Sequence, residues 1–241
     1  MASISWSASL KVLTIVLLVY VFVQGLLGPV PDLVVLEETI RNLYFHVPLW
    51  FAMILMLLGS LGCSIAYLVS GSDRWDERAS SLAVVSIVFG LLGFATGMLW
   101  GNYTWGSLGA FLFSDPKTLG AMIGLLIYLA YFILRGSVDD HEKAARLSAV
   151  YSIFAYSLLI FFIFIFPRMS GVDSLHPGSG GNPGFSAYDL DDRMRAVFYP
   201  AVLGYTGLGV WISSLRWRMK AVESTLQERD EDLLDLSFPK A

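Results

Sequence analysis

Charge is scarce in this chain. Only 15% of its 241 residues are Asp, Glu, Lys or Arg, and 56% are apolar, against roughly 25% and 45–50% in ordinary soluble domains. The apolar excess is gathered into long runs, which argues against an oversized soluble core and for a membrane protein. Cysteine is nearly absent, and the single thiol, Cys63, lies within an apolar run. One cysteine excludes an intramolecular disulfide, a CxxCH attachment site and a zinc ribbon together. In lipid it packs as a small hydrophobe. There is no G-x-x-x-x-G-K-[ST] segment to cradle a nucleotide. The net charge of −4 gives no ground for nucleic-acid binding. The acidity is concentrated in "QERDEDLLDLSF", which reads as a solvated tail.

Six charge-poor stretches remain, at about 12–27, 47–69, 82–100, 119–134, 149–166 and 197–215. Each approaches the ~20 residues that an α-helix needs to span the hydrocarbon. A charge at a span centre costs about 2.5–3.5 kcal/mol. The reading is an all-α integral membrane protein. Residues 1–220 form a six-helix transmembrane domain, and 221–241 form an acidic cytoplasmic tail. Lys11 before an apolar core resembles a signal peptide, but no A-x-A-like site follows, and "GPVPD" reads as a helix stop. A retained anchor is expected.

Basic residues near the span ends set the orientation. Nine lie on one side (Lys11, Arg74, Arg78, Arg135, Lys143, Arg146, Arg216, Arg218, Lys220) and five on the other (Arg41, Lys117, Arg168, Arg193, Arg195). Both termini are therefore expected in the cytoplasm, with loops 28–45, 101–118 and 167–196 facing outward. No convincing internal repeat supports an inverted-repeat transporter.

The three histidines separate by sidedness. His141 sits in the cytoplasmic "VDDHEKAAR", among charges and water. His46, in "RNLYFHVPLWF", and His176, in "DSLHPGSGGNPG", both fall outward, close to the membrane surface. Two neutral imidazoles on opposite sides of an iron make a haem ligation, and the lack of further His or Cys disfavours a zinc cage. Position alone leaves open two unrelated interface histidines satisfied by backbone or water. The outward "MLWGNYTWGSLGAFLFSDPK" adds Trp100, Tyr103, Trp105, Phe111 and Phe113, with glycines between them. Interfacial anchoring explains a residue or two per span end, but this cluster continues beyond the span. Burying a Trp of roughly 150–250 Å² is worth at most about 4–6 kcal/mol. An aromatic shelf of this kind suits a planar ligand. Arg41, Arg168, Arg193 or Arg195 would meet the carboxylates of such a ligand.

These segments resemble the CcmC family of haem-handling membrane proteins, within the CcmC/CcmF/CcsA superfamily. "RNLYFHVPLWFAM" is similar to the family's R-x-x-Y-x-H-V-P segment, "DSLHPG" to its T-L-H-x-G segment, and "WGNYTWGS" to the start of its tryptophan-rich loop. The likeness runs over residues 35–215. It implies axial haem ligation by His46 and His176, with Trp100, Gly101, Trp105 and Gly106 on the porphyrin platform. The family's loop continues into further tryptophans and a W-D pair, whereas here "SLGAFLFSDPK" follows. Asp115 matches across an extra gap, and Phe111 and Phe113 stand where other rings would be.

The resemblance further implies a carrier, not an enzyme, in the bacterial cytoplasmic (inner) membrane. It would bind haem b non-covalently and transiently on the periplasmic side and pass it to the chaperone CcmE. CcmA and CcmB, the ABC-type subunits, and the small membrane protein CcmD would be its partners in the bilayer. Two other readings stay open: a b-type membrane cytochrome in quinone redox chemistry, and a haem-free transport or assembly scaffold.

Overall fold

The computed structural model describes residues 8–106, 112–169, 171, 174, 176 and 190–237. Six helices in it are long and apolar enough to cross a membrane, and no strand occurs among the described residues. They are α1 (Ala8–Leu27), α2 (Leu43–Ser70, entered through a 3-10 turn at Glu37–Asn42), α3 (Asp73–Trp105), α4 (Pro116–Gly136), α5 (His141–Met169) and α6 (Asp192–Ser237). The all-helical, multi-span architecture is the one the charge-poor stretches implied. Phe111 lies outside the described residues.

Local chemistry marks the helix ends. Gly71, in the left-handed region at φ 65°, closes α2, and Ser72 in extended backbone opens α3. The two helices are thus joined by a two-residue link and pack along their length. Asp140 caps α5 by accepting from the Lys143 backbone N–H at 2.9 Å. Asp115 caps α4, with Pro116 at its first position, where a missing N–H costs nothing.

Neighbouring helices run antiparallel, as the cross-contacts require. Ser60 on α2 donates to the Ala79 carbonyl on α3, while His46 reaches Gly93 forty-seven residues away. On α1, Lys11 stacks over Trp211 of α6 and Tyr20 donates to the Ala196 carbonyl. Tyr151 on α5 donates to the Ile127 carbonyl on α4 at 2.9 Å. The end of α1 and the starts of α2, α4 and α6 therefore share one end of the bundle with the ends of α3 and α5.

The core is continuous through α2, where Ala52, Met53 and Leu57 are fully buried, and on to Tyr128, Leu159 and Ala201. Val12, Val16, Val19 and Val23 of α1 stay about half exposed. That apolar flank suits lipid, because hydrocarbon takes the place of water there. Two expectations shift. The aromatic segment expected as a loop is helical through Trp105, and α6 continues through the stretch expected as a tail. Beyond the first turn, helical pairing satisfies the backbone N–H groups locally, and α3 runs on to its stop at Gly106 (φ 73°).

At the other end of the bundle Arg135 of α4 grips Asp76 of α3 with both guanidinium arms, one at 2.7 Å, and the Asp76 side chain is 3% exposed. Removing one partner of such a pair strands a charge. Asp76→Ala is expected to lower unfolding stability in detergent by about 3–5 kcal/mol. The Asp76→Leu/Arg135→Leu double variant should lose much less, as read from denaturant unfolding of both.

Candidate functional site

His46 occupies the first turn of α2 and is buried against α3. Its Nδ1 lies 2.8 Å from the Gly93 carbonyl and 3.3 Å from Thr96 Oγ1. The carbonyl can only accept, so Nδ1 carries the proton and Nε2 keeps the lone pair. The ring fits because α3 is notched. A Cβ at Gly97 would stand 2.5 Å from His46 Cε1. Trp100 lies edge-on to the ring, at 6.1 Å between centroids, and its indole N–H donates to Thr39 Oγ1 at 3.1 Å.

His176 is anchored in parallel fashion by a carboxylate. Its Nδ1 lies 2.9 Å from Asp115 Oδ1, and Ser174 donates to Asp115 Oδ2 at 2.8 Å. The same carboxylate caps α4, accepting from Thr118 N at 2.8 Å and Thr118 Oγ1 at 3.0 Å. Burial alone would push the Asp115 carboxyl up. The His176 ring, the Thr118 N–H and the Ser174 hydroxyl outweigh it and hold the group well below the usual carboxylate range. An ionised carboxylate accepts the Nδ1 proton, which leaves Nε2 as the ring nitrogen turned away from Asp115. A carboxylate behind an imidazole orients the ring and raises its basicity as a ligand.

Both histidines line one cavity. The cavity has a volume of about 160 Å³ and is open at its mouth. Its walls are apolar, with Trp50, Phe51 and Ile54 from α2, Phe94 from α3 and Phe198 from α6. Lys117 and Arg168 also line it. In α5, a π-helical turn at Phe161–Ile165 supplies Ile163 and Phe164 to the wall. Arg168 donates to the Phe164 carbonyl. Gly120 of α4 faces the Phe162 carbonyl so closely that no side chain would fit between them. Such π turns recur where helices serve a site.

The site residues expected from sequence divide clearly. His46, His176, Trp100 and Arg168 come together at the cavity. Asp115 stands behind His176, fully buried. Gly101 is buried within α3, and Gly106 is the helix stop. Tyr103, Trp105 and Phe113 are exposed, at 75%, 44% and 68%. Arg41 donates to the Gly28 carbonyl at 2.6 Å and pairs with Glu38. It lines a second crevice on the far side of Trp100, together with Tyr103. Arg193 and Arg195 do not line the cavity. Sequence reasoning passed over Trp50, Gly97 and Lys117. The glycines at 90, 93, 97 and 101 recur at helical spacing, and that notch was the available signal.

Fold and cavity together define a multi-pass helical membrane protein with two anchored imidazoles turned toward one apolar chamber. Residues 2–231 match the family model for heme exporter protein C, and the chain belongs to that family. It is 31% identical over 138 residues to the heme exporter protein C of Bradyrhizobium diazoefficiens, covering 57% of this chain and 50% of the relative. The Rhodobacter capsulatus protein of the same name is 26% identical over 180 residues, 73% of this chain and 69% of the relative. The Paracoccus denitrificans one is 30% identical over 112 residues, covering 46% and 45%. The chain thus spans about half the length of two of these relatives.

The notch at Gly97 is directly testable. Gly97→Ala forces the His46 ring aside and is expected to lower stability by about 1–3 kcal/mol, with a shift of the His46 Nδ1–H resonance in ¹⁵N-histidine spectra. Gly62→Ala, where a Cβ meets nothing within 4 Å, should be neutral or stabilising by up to about 1 kcal/mol.

Proposed function

We propose that this chain carries haem b as cargo on the periplasmic side of the bacterial cytoplasmic membrane and delivers it to a CcmE-like chaperone during cytochrome c maturation. The observation that carries this reading is the pairing of His46 and His176 on one apolar cavity, each ring oriented through its Nδ1. Among the described residues no cluster of three or more His, Cys, Asp or Glu offers a competing metal cage. The donor set is the one a six-coordinate haem iron accepts.

In this reading His46 and His176 ligate the iron from opposite faces, and the aromatic walls cover the porphyrin. Lys117 and Arg168 meet its propionates through charge-assisted hydrogen bonds. Trp100, locked by Thr39, keeps the His46 ring from rotating. The lone Cys63 cannot form the paired thioethers of a covalent haem site, so release requires only that ligation and packing be broken. ATP-driven steps belong to CcmA and CcmB, with CcmD as a further membrane partner.

The cavity is recessed among the helix ends and reaches Ile54, two turns below His46. That depth favours the b-type cytochrome as the second reading. Haem-dependent quinone reduction by the purified chain would select it over the carrier.

His46→Ala and His176→Ala are each expected to change the Soret spectrum of the haem-loaded protein and to impair cytochrome c maturation. A double variant with unchanged spectrum and maturation would overturn the reading. Asp115→Asn keeps a competent helix cap but removes the charge behind His176. It is expected to weaken haem retention roughly 10–100-fold, measured by competitive haem titration.

A further inference from the structure

Beneath the proposed haem cavity, three hydroxyls are buried on the facing sides of α4 and α5. Tyr128, Ser148 and Ser152 are 0%, 1% and 1% exposed. None of their hydroxyl oxygens makes a hydrogen bond of full geometry, and only Tyr128 and Ser152 lie close enough to one another to interact. The register is fixed by Tyr151, which donates to the Ile127 carbonyl. The Tyr131 ring lies 6.2 Å from both Tyr128 and Tyr151. Ser152 is a hydroxyl neighbour of Tyr128, and Ser148 lies one turn from Ser152 on the same helix face.

Helical serines elsewhere in this chain satisfy themselves. Ser86 donates to Leu82, Ser157 to Ile153 and Ser213 to Gly209, each to the carbonyl four residues back. Ser148 and Ser152 do not. Their hydroxyls, with that of Tyr128, address the seam between the helices. Each unsatisfied buried hydroxyl costs about 1–3 kcal/mol, and hydrocarbon offers no partner. One water typically makes about three hydrogen bonds, both donating and accepting. The seam leads toward the Asp76–Arg135 pair, with Tyr131 beside Arg135. The Arg135 side chain is 19% exposed, which gives water an entrance.

We infer that the α4–α5 seam binds internal water, bridging Tyr128, Ser148 and Ser152 and extending a polar path inward from the Asp76–Arg135 pair. Its inner limit at Tyr128 lies two helical turns, about 10 Å, below Ala121, a cavity-lining residue. The bridging waters complete the hydrogen bonding of α4 and α5 directly beneath the site.

Hydroxyl-radical footprinting of the full chain in lipid nanodiscs, in ¹⁸O-labelled water, tests this. Radicals generated in place from bound water oxidise buried side chains beside it. Tyr128 is expected to be labelled despite complete burial, alongside the exposed Tyr103. In the Ser148→Ala/Ser152→Ala double variant, Tyr128 labelling should fall several-fold while Tyr103 labelling holds. Wild-type protein in which Tyr103 is labelled and Tyr128 is silent overturns the inference. So does Tyr128 labelling that the double variant leaves unchanged. The wild-type arm decides by itself if the double variant does not fold.

Discussion

The hydrogen bond between His46 Nδ1 and the Gly93 carbonyl ties α2 to α3 at the level where the cavity opens. An imidazole with one nitrogen fixed to backbone can present only the other. It can do so only if the facing helix leaves room, as the bare Cα at Gly97 does. Trp100, one turn further along, closes the remaining side of the ring and is itself restrained by Thr39. Ring orientation, tautomer and cavity wall thus depend on one close helix approach. A Cβ at Gly97 disturbs all three together.

His176 solves the same problem with different chemistry. It lies in a connection and not on a spanning helix. Asp115 takes the part that the Gly93 carbonyl plays for His46, and the Asp115 carboxylate also caps α4. One buried carboxylate therefore couples the start of a helix to the aim of an imidazole. The π turn of α5 completes the chamber from the opposite side and brings Phe164 and Arg168 to the wall. The two histidines differ in how firmly they are seated. His46 is buried in a helix, and the His176 side chain remains 26% exposed. In the proposed carrier, the more exposed imidazole is the one to let go of the cargo first.

Much of this was legible in the chain itself. Charge scarcity and segregation gave six spans, and counting Lys and Arg placed His46 and His176 together and apart from His141. The helical extent of α3 was not legible. Glycines and aromatics from Trp100 to Trp105 read as a loop by composition, yet local backbone pairing continues the helix to its stop at Gly106. For that reason Tyr103 and Trp105 project outward and only Trp100 reaches the cavity. Lys117 was hidden because a lone cation two residues after Asp115 has no local signature. Its place follows from the capped first turn of α4. Asp115 was visible as a motif remnant, but its role behind His176 needed the three-dimensional meeting of two segments sixty-one residues apart.

The central claim is that His46 and His176 present two Nε2 ligands to one iron. Electron paramagnetic resonance of the ferric haem-loaded chain tests it most directly. The account predicts a low-spin bis-imidazole signal in the wild type that converts to high spin in His46→Gln and in His176→Gln alike. A low-spin bis-imidazole signal retained in either single variant would contradict it.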